Sequence, residues 1–222
     1  MKRQAKIHLS ALETELVNNT AWIFTKHQII EKVRYLFGEL HHRYRTIVEN
    51  EKELLPAVFE YPGGKISKGE NYKGLPYLML DYPAFFSKEN IFAIRTMFWW
   101  GNFFSITLHL SGKYFENTEK LSSWLAFFRQ KNLWVCVGKS EWENHFERSN
   151  YCRLDDLDEE QIKELSKNRF FKVAKKIGLG EWNDAPELLV LSFLEIIEFV
   201  KFNFPAGERV LSPGPPKAGS GL

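Results

Sequence analysis

The sequence predicts an α+β protein in which a central antiparallel sheet carries packed helices from both ends of the chain. Apolar residues recur every three or four positions near the N-terminus and again in residues 188–204, which is the spacing of amphipathic helices. Between these regions lie short apolar segments of the kind that form strands. Because helices, strands and helices follow one another in blocks, the order favours α+β over an alternating parallel α/β fold.

The N-terminal helical region is predicted over residues 11–50, and Pro56 bounds it. Its main apolar stripe is formed by Ile29, Ile30, Val33, Leu36, Phe37, Leu40, Tyr44, Ile47 and Val48. The segment that follows, residues 61–76, contains four Gly and three Lys. That composition predicts a mobile, basic loop.

The middle of the chain is predicted to form the sheet. The expected elements are strands at Tyr77–Tyr82, Ile91–Trp99, Phe103–Leu110, Leu133–Val137 and Tyr151–Leu154, and a helix at Glu119–Gln130. Gly101-Asn102 separates the second strand from the third and is a strong hairpin signal. The continuous apolar run of the fourth strand is typical of a central position in a sheet.

The last part of the chain is predicted to be helical. Asp158 begins a helix and forms a capping box with Gln161. A second helix is expected at Phe170–Ile177, and a third begins near Pro186 and ends near residue 204. Pro, Gly and Ser dominate residues 205–222, which predicts a disordered tail. The chain is therefore expected to form a single α+β domain over residues 1–204, followed by that tail.

Composition and charge argue against several classes of protein. The 30 basic and 28 acidic residues nearly balance, which disfavours a nucleic-acid partner. The most apolar segment, residues 188–204, is interrupted by charges, so no membrane partner is expected. No apolar stretch follows the charged start of the chain, and only two cysteines occur, Cys136 and Cys152. These features predict a soluble protein of the reducing cytoplasm.

The length of the hairpin loop decides which side chains share a face of the sheet. A two-residue loop at Gly101-Asn102 places Arg95 among apolar side chains. A three-residue loop instead gives one nearly pure apolar face and collects the polar residues on the other. Because burying an unpaired Arg costs more than a less common turn, we expect the three-residue loop.

This register predicts a polar and aromatic face. If the strand at Tyr77–Tyr82 pairs with the hairpin, Asp81 lies on the face that carries Arg95 and His109. The predicted site consists of Asp81, Arg95, Ser105, Thr107 and His109, bordered by Tyr77, Trp99 and Phe103. A charge pair, hydroxyls and an imidazole beside aromatic walls suit a small polar or anionic ligand.

Four interpretations of this face stay open. The first is a binding domain for a small polar or anionic molecule. The second is an enzyme with His109 as acid or base, Asp81 orienting it and Arg95 holding an anionic substrate group. The third is an interaction module whose exposed Trp99, Trp100 and Phe103 meet a partner or form a homodimer. The fourth is a solvated sheet face with Asp81 and Arg95 as an ordinary salt bridge.

No cofactor or metal site is predicted. Glu39 and His42 have the Glu-x-x-His spacing of di-iron helical bundles, but the sequence has no second copy of the motif. The acidic run at residues 155–160 lacks the pattern and the central Gly of a calcium loop. Residues 137–140, Val-Gly-Lys-Ser, lack the first Gly of a phosphate-binding loop.

Overall fold

The computed structural model describes residues 7–60, 63–116, 118–204 and 206. Over these residues the protein has the predicted α+β architecture, with one seven-stranded antiparallel sheet. The α-helices are α1 Ala11–Asn18, α2 Thr20–Glu51, α3 Leu121–Arg129, α4 Glu159–Leu165 and α5 Ala185–Asn203. The strands are β1 Lys65–Tyr72, β2 Leu75–Phe86, β3 Ile91–Trp99, β4 Phe103–Ser111, β5 Trp134–Cys136, β6 Tyr151–Arg153 and β7 Phe170–Gly178.

The strand order is β1-β2-β3-β4-β7-β5-β6. Strands β1 to β4 follow one another as neighbours along the chain, and β7 returns from later in the sequence to pair with β4 and β5. Every pair is antiparallel. Strand β7 is therefore a central strand with neighbours on both sides.

The hydrophobic core lies between one face of the sheet and helices α2 and α5. Phe37 and Leu40 of α2 and Phe193 of α5 are fully buried in it. Tyr44 of α2 stacks on Phe193, with ring centroids 3.9 Å apart. The helices at both ends of the chain thus pack on the sheet as predicted, because their apolar stripes face the apolar side of β3 and β4.

The opposite face of the sheet is covered by the connection between β5 and β6, residues 137–150, which we call the strap. Phe146 of the strap meets Phe103 edge-on, with centroids 5.0 Å apart, and stacks on Tyr151 at 4.6 Å. Trp142 meets His109 edge-on at 5.8 Å. The polar face of the sheet is therefore buried beneath the strap, and the interpretation of a solvated face is wrong.

The hairpin between β3 and β4 has the predicted three-residue loop, because Trp99 pairs with Phe103. Gly101 in this loop has φ of +71°, in the left-handed region that favours glycine. The faces sort as expected, since Phe98 and Phe104 lie in the main core while Arg95 lies on the strap side.

Residues 170–177 form strand β7, so the predicted helix is wrong. Phe171, Val173 and Ile177 point into the main core, which is a period of two. Lys172 lies between them on the opposite face. Pairing with β4 along nine residues decides the conformation, and such long-range pairing overrides local propensity.

The predicted loop at residues 61–76 is also corrected, because Lys65–Tyr72 form the edge strand β1. Among the described residues, this strand pairs only with β2. Within that part of the chain its outer edge has no sheet neighbour, and charged side chains such as lysines are tolerated there and discourage pairing with other chains. A polar, glycine-containing sequence is therefore compatible with an edge strand, although it does not predict one.

Three further observations bear on the sequence predictions. Both cysteines are free thiols, and Cys136 is buried as expected. Among the described helices, none combines the length and apolarity needed to cross a bilayer. The predicted disordered tail, residues 205–222, lies outside the described residues except for Ala206.

Candidate functional site

The strap-side face brings Asp81 and Arg95 together as predicted. They are direct partners in the register of β2 and β3, and Arg95 Nε donates to Asp81 Oδ1 at 2.7 Å. A second, longer bond joins Arg95 Nη2 to Asp81 Oδ2 at 3.4 Å. The guanidinium also lies over the ring of Phe86, 5.3 Å from its centroid. These contacts engage Nε and Nη2 of Arg95, whose side chain is only 15% exposed.

The hydroxyls of the predicted site are buried. Thr107 lies opposite Arg95 in the register of β3 and β4, and Ser105 lies opposite Met97. Ser105 and Thr107 are only 1% and 4% exposed. They line the underside of the strap and do not reach solvent.

The predicted aromatic walls are core residues. Trp99 and Phe103 are 6% and 3% exposed, and the Trp99 Nε1–H donates to the carbonyl of Tyr72 at 3.2 Å. Tyr77 is half-buried in the same cluster. Trp100 points to the other face, where it packs on the main core. Trp99 and Phe103 are therefore not exposed, because the strap and β1 cover them, whereas Trp100 is half-buried and meets Trp22 edge-on with ring centroids 6.2 Å apart.

His109 has a different partner from the one predicted. It is fully buried, and its Nε2 lies 3.0 Å from Oε2 of Glu141 in the strap. Asp81 does not orient it, since Asp81 is bound to Arg95. Burial lowers the pKa of His109 to about 2, with Lys172 and Arg95 adding repulsion. The imidazole is thus neutral, and its Nε2–H donates to the Glu141 carboxylate.

The second nitrogen of His109 is unsatisfied. Nδ1 is buried and has no hydrogen-bond partner among the described residues. Buried polar atoms without a partner are uncommon, and a functional role is one of the explanations for them. Full burial also prevents the imidazole itself from touching a substrate.

Lys172 of β7 anchors the strap to the sheet. The side chain is 1% exposed, and its Nζ donates to the backbone carbonyls of Glu141 at 2.9 Å and Glu143 at 2.7 Å. A longer bond of 3.4 Å reaches Asn144 Oδ1. Burial lowers the pKa of Lys172 to about 8. One amine therefore holds three strap residues above the position of His109.

Tyr72 of β1 forms a second anchor. Its hydroxyl oxygen accepts from the backbone N–H groups of Asn144 at 2.7 Å and His145 at 3.2 Å. The same hydroxyl lies 3.0 Å from His145 Nδ1. Burial raises the pKa of Tyr72 and lowers that of His145. The strap is therefore fixed on both sides of residue 144.

A cleft of about 560 Å³ opens beside the pair formed by His109 and Glu141. It is lined by Ser87, Lys88, Glu89, Ile91, Ser111, Gly112, Phe115, Glu116, Glu141, Trp142, Asn168, Arg169 and Phe170. The Glu141 side chain is 28% exposed, and burial raises its pKa. Lys88 and Arg169 form no ion pair with other described residues. Ser111 and Phe170, which lie on the strap-side face of the sheet, also line the cleft, and Glu141 is the lining residue that bonds to His109.

Sequence reasoning missed Glu141, Lys172 and Tyr72. Period-two alternation over residues 170–177 was the available signal for Lys172, because it places this residue on the face of His109 once the segment is a strand. The strap sequence mixes aromatic and charged residues, which indicates a segment that is partly buried, but not where it packs. Only the fold shows that it lies over His109.

No metal centre emerges from the described part of the chain, where no group of three or more His, Cys, Asp or Glu side chains is placed to hold an ion. Comparisons with protein-family models, curated proteins and solved structures find no match to this chain. The geometry of the cleft is therefore the basis for an argument about function.

Proposed function

We propose that this protein is a binding domain that holds a small polar molecule in the cleft beside Glu141. The observation that carries the proposal is the carboxylate of Glu141. It lines the cleft and is hydrogen-bonded to the fully buried His109. Concave sites of a few hundred Å³ with apolar walls and a few placed polar groups are typical of small-ligand sites. Trp142, Phe115 and Phe170 supply the aromatic walls.

The hydrogen bonding of Glu141 leaves one oxygen for a ligand. Oε2 accepts from His109, whereas Oε1 has no partner among the described residues. The imidazole fixes the direction of the carboxylate, as outer partners do for ligand-contacting groups. A ligand amine or hydroxyl that donates to Oε1 completes this arrangement.

The charges around the cleft support a polar ligand with a donor group in preference to a simple anion. The lining contains two basic residues, Lys88 and Arg169, and three acidic ones, Glu89, Glu116 and Glu141. Arg95, on which the expectation of an anionic ligand rested, is engaged by Asp81. An amine or a hydroxyl suits Glu141, and an acceptor on the same ligand suits the two basic residues.

Catalysis is a second candidate, favoured by the raised pKa of Glu141. A carboxyl group whose pKa is raised by burial, at the edge of a cleft, is suited to proton transfer. In that case Glu141 is the group that touches the substrate, and His109 is a positioning residue.

A cytoplasmic location stays a prediction from cysteine usage.

The proposal is tested by thermal-shift measurements with a panel of amines, polyols, carboxylates and phosphates. We expect stabilisation by amines or polyols for the wild-type protein and at least tenfold weaker binding in Glu141→Gln. Glu143→Gln is the matched control, because it removes the same charge from the strap at a 50% exposed position outside the cleft lining. Stabilisation by carboxylates or phosphates alone, or equal binding in both variants, contradicts the proposal. Turnover of a bound compound by the wild-type protein, lost in Glu141→Gln, identifies an enzyme.

A further inference from the structure

The N-terminal helices expose an apolar surface that the fold of this chain uses only at Trp22 among the described residues, where the ring meets Trp100 edge-on with centroids 6.2 Å apart. We call residues 7–28 the arm; it comprises α1 and the first turns of α2. Between 42% and 80% of the surface of its large apolar side chains is exposed, these being Ile7, Leu9, Leu12, Leu16, Val17, Trp22, Ile23 and Phe24. Concentrated apolar exposure of this kind marks an interaction surface.

The arm is nevertheless well encoded as helix. Ser10 and Glu13 form a complete capping box at the start of α1. Asn19 caps α2 by accepting from the backbone N–H of Trp22 at 3.0 Å. Yet α1 has only eight residues and none of them is buried. A helix this short is marginal in water without packing, so its apolar side chains call for a partner surface.

We infer that the arm pairs with the arm of a second copy of this chain, in antiparallel orientation, to form a homodimer. Charge complementarity supports this occupant. Glu13 and Glu15 lie six and four residues before the junction at Asn19, and Lys26 lies seven residues after it. A two-fold axis near that junction places Glu13 and Glu15 of each arm close to Lys26 of the other.

The apolar residues follow the same symmetry. With the axis near Asn19, Leu16 and Val17 of one copy meet Ile23 and Phe24 of the other, and each contact occurs twice. At roughly 100 Å² of exposed surface per side chain, the apolar residues of one arm offer on the order of 800 Å², which is the area per partner in a standard stable interface. The arm therefore carries apolar area of the order that a stable interface needs.

Sedimentation velocity of the full chain over a range of micromolar concentrations tests the inference. We expect the wild-type protein to sediment as a dimer and Leu16→Ser/Phe24→Ser to dimerise at least about tenfold more weakly, since both side chains are exposed in one copy. An unchanged thermal unfolding transition would show that the sheet and the helices packed on it are folded in this variant. Leu191→Ser/Leu194→Ser is the matched control, because these α5 residues are 57% and 43% exposed outside the arm.

A charge reversal tests the orientation. Glu15→Lys is expected to weaken the homodimer, and mixing it with Lys26→Glu is expected to restore pairing between the two variants, while Glu13 is kept because it caps α1. The ion pair that Lys26 makes with Glu70 is partly exposed, so its loss matters little to the fold. A monomeric wild-type protein, or a dimer disrupted by the α5 control and not by the arm variants, overturns the inference. A homodimer that Glu15→Lys leaves unchanged overturns the antiparallel orientation.

Discussion

His109 Nε2 and Glu141 Oε2 lie 3.0 Å apart, although 32 residues separate them in the chain. The imidazole is fully buried in β4, and the carboxylate belongs to the strap and is 28% exposed. This pair connects the hidden face of the sheet to the cleft. The sequence predicted that His109 contacts a ligand, whereas in the structure Glu141 is the member of the pair that lines the cleft.

Asp81→Asn should destabilise the protein much more than Glu187→Gln does. Both residues form two hydrogen bonds with an arginine, but the Asp81–Arg95 side chains are 12% and 15% exposed and the Glu187–Arg43 side chains 69% and 36%. Removing one partner of a largely buried pair leaves a charge without compensation, which costs about 2 kcal/mol here. Urea unfolding of the two variants measures the difference. Equal losses would show that solvent screens the Arg95 pair as well.

Lys172→Met should loosen the strap. The substitution keeps the volume of the side chain but leaves the carbonyls of Glu141 and Glu143 without their donor, which costs about 3 kcal/mol. Lys175→Met is the control, since this lysine of the same strand donates to the backbone carbonyl of Lys131, which lies outside the strap. Hydrogen exchange should show faster exchange of the strap amides in Lys172→Met only. Unchanged exchange there would mean that Tyr72 suffices as an anchor.

The pH dependence of stability should carry a signature of His109. Burial lowers its pKa from an ordinary value of 6.5 to about 2, so the unfolded chain binds a proton more readily than the folded protein. The contribution of His109 to stability is therefore complete above pH 6.5 and declines as the pH falls toward 2. The slope is at most about 1.4 kcal/mol per pH unit.

His109→Asn isolates this contribution. The variant should be less stable near neutral pH, because a buried hydrogen bond to Glu141 is altered, and its stability should fall less steeply with acidification. Unfolding free energies at several pH values between about 7 and 5 compare the two proteins, a window that lies above the titration of most carboxyl groups. Parallel curves would mean that the imidazole is protonated in the folded state.

Gly112→Ala should cost more stability than Gly101→Ala. Both glycines have positive φ, of 59° and 71°, so a side chain strains the backbone at either position. A Cβ at Gly112 would lie 2.1 Å from the carbonyl oxygen of Glu89, whereas none of the described atoms lies within 4 Å of a Cβ at Gly101. We expect losses of about 3 and about 1 kcal/mol, measured by denaturant unfolding. Similar losses would show that the chain around Glu89 moves aside easily.

The sheet register could be derived from the sequence because one face had to be apolar. Only the three-residue loop at Gly101 separates Arg95 from the apolar residues of β3 and β4, and the structure has that loop. The pairing of Asp81 with Arg95 follows from the same parity rule. These features depend on alternation within neighbouring strands, which a sequence displays directly.

The secondary structure of β1 and β7 could not be derived in the same way. Neither segment has a local preference strong enough to show its conformation, and each becomes a strand through a partner elsewhere in the chain. The error at β7 had a consequence for the site, because a helix at residues 170–177 hides the fact that Lys172 shares a face with His109. The failure to predict Lys172 as an anchor of the strap follows from that error.

The sequence by itself determined the fold class, the apolar stripes of the terminal helices, the hairpin register and the grouping of polar residues on one face. Periodicity and parity are local properties of a chain, so they can be read without knowing what packs where. The tertiary structure alone decided that the strap covers this face, that Glu141 replaces Asp81 at His109, and that the cleft lies beside them. Burial and partner choice depend on segments distant in the chain, since the free energy of placing a polar group is set by whichever segment excludes water from it.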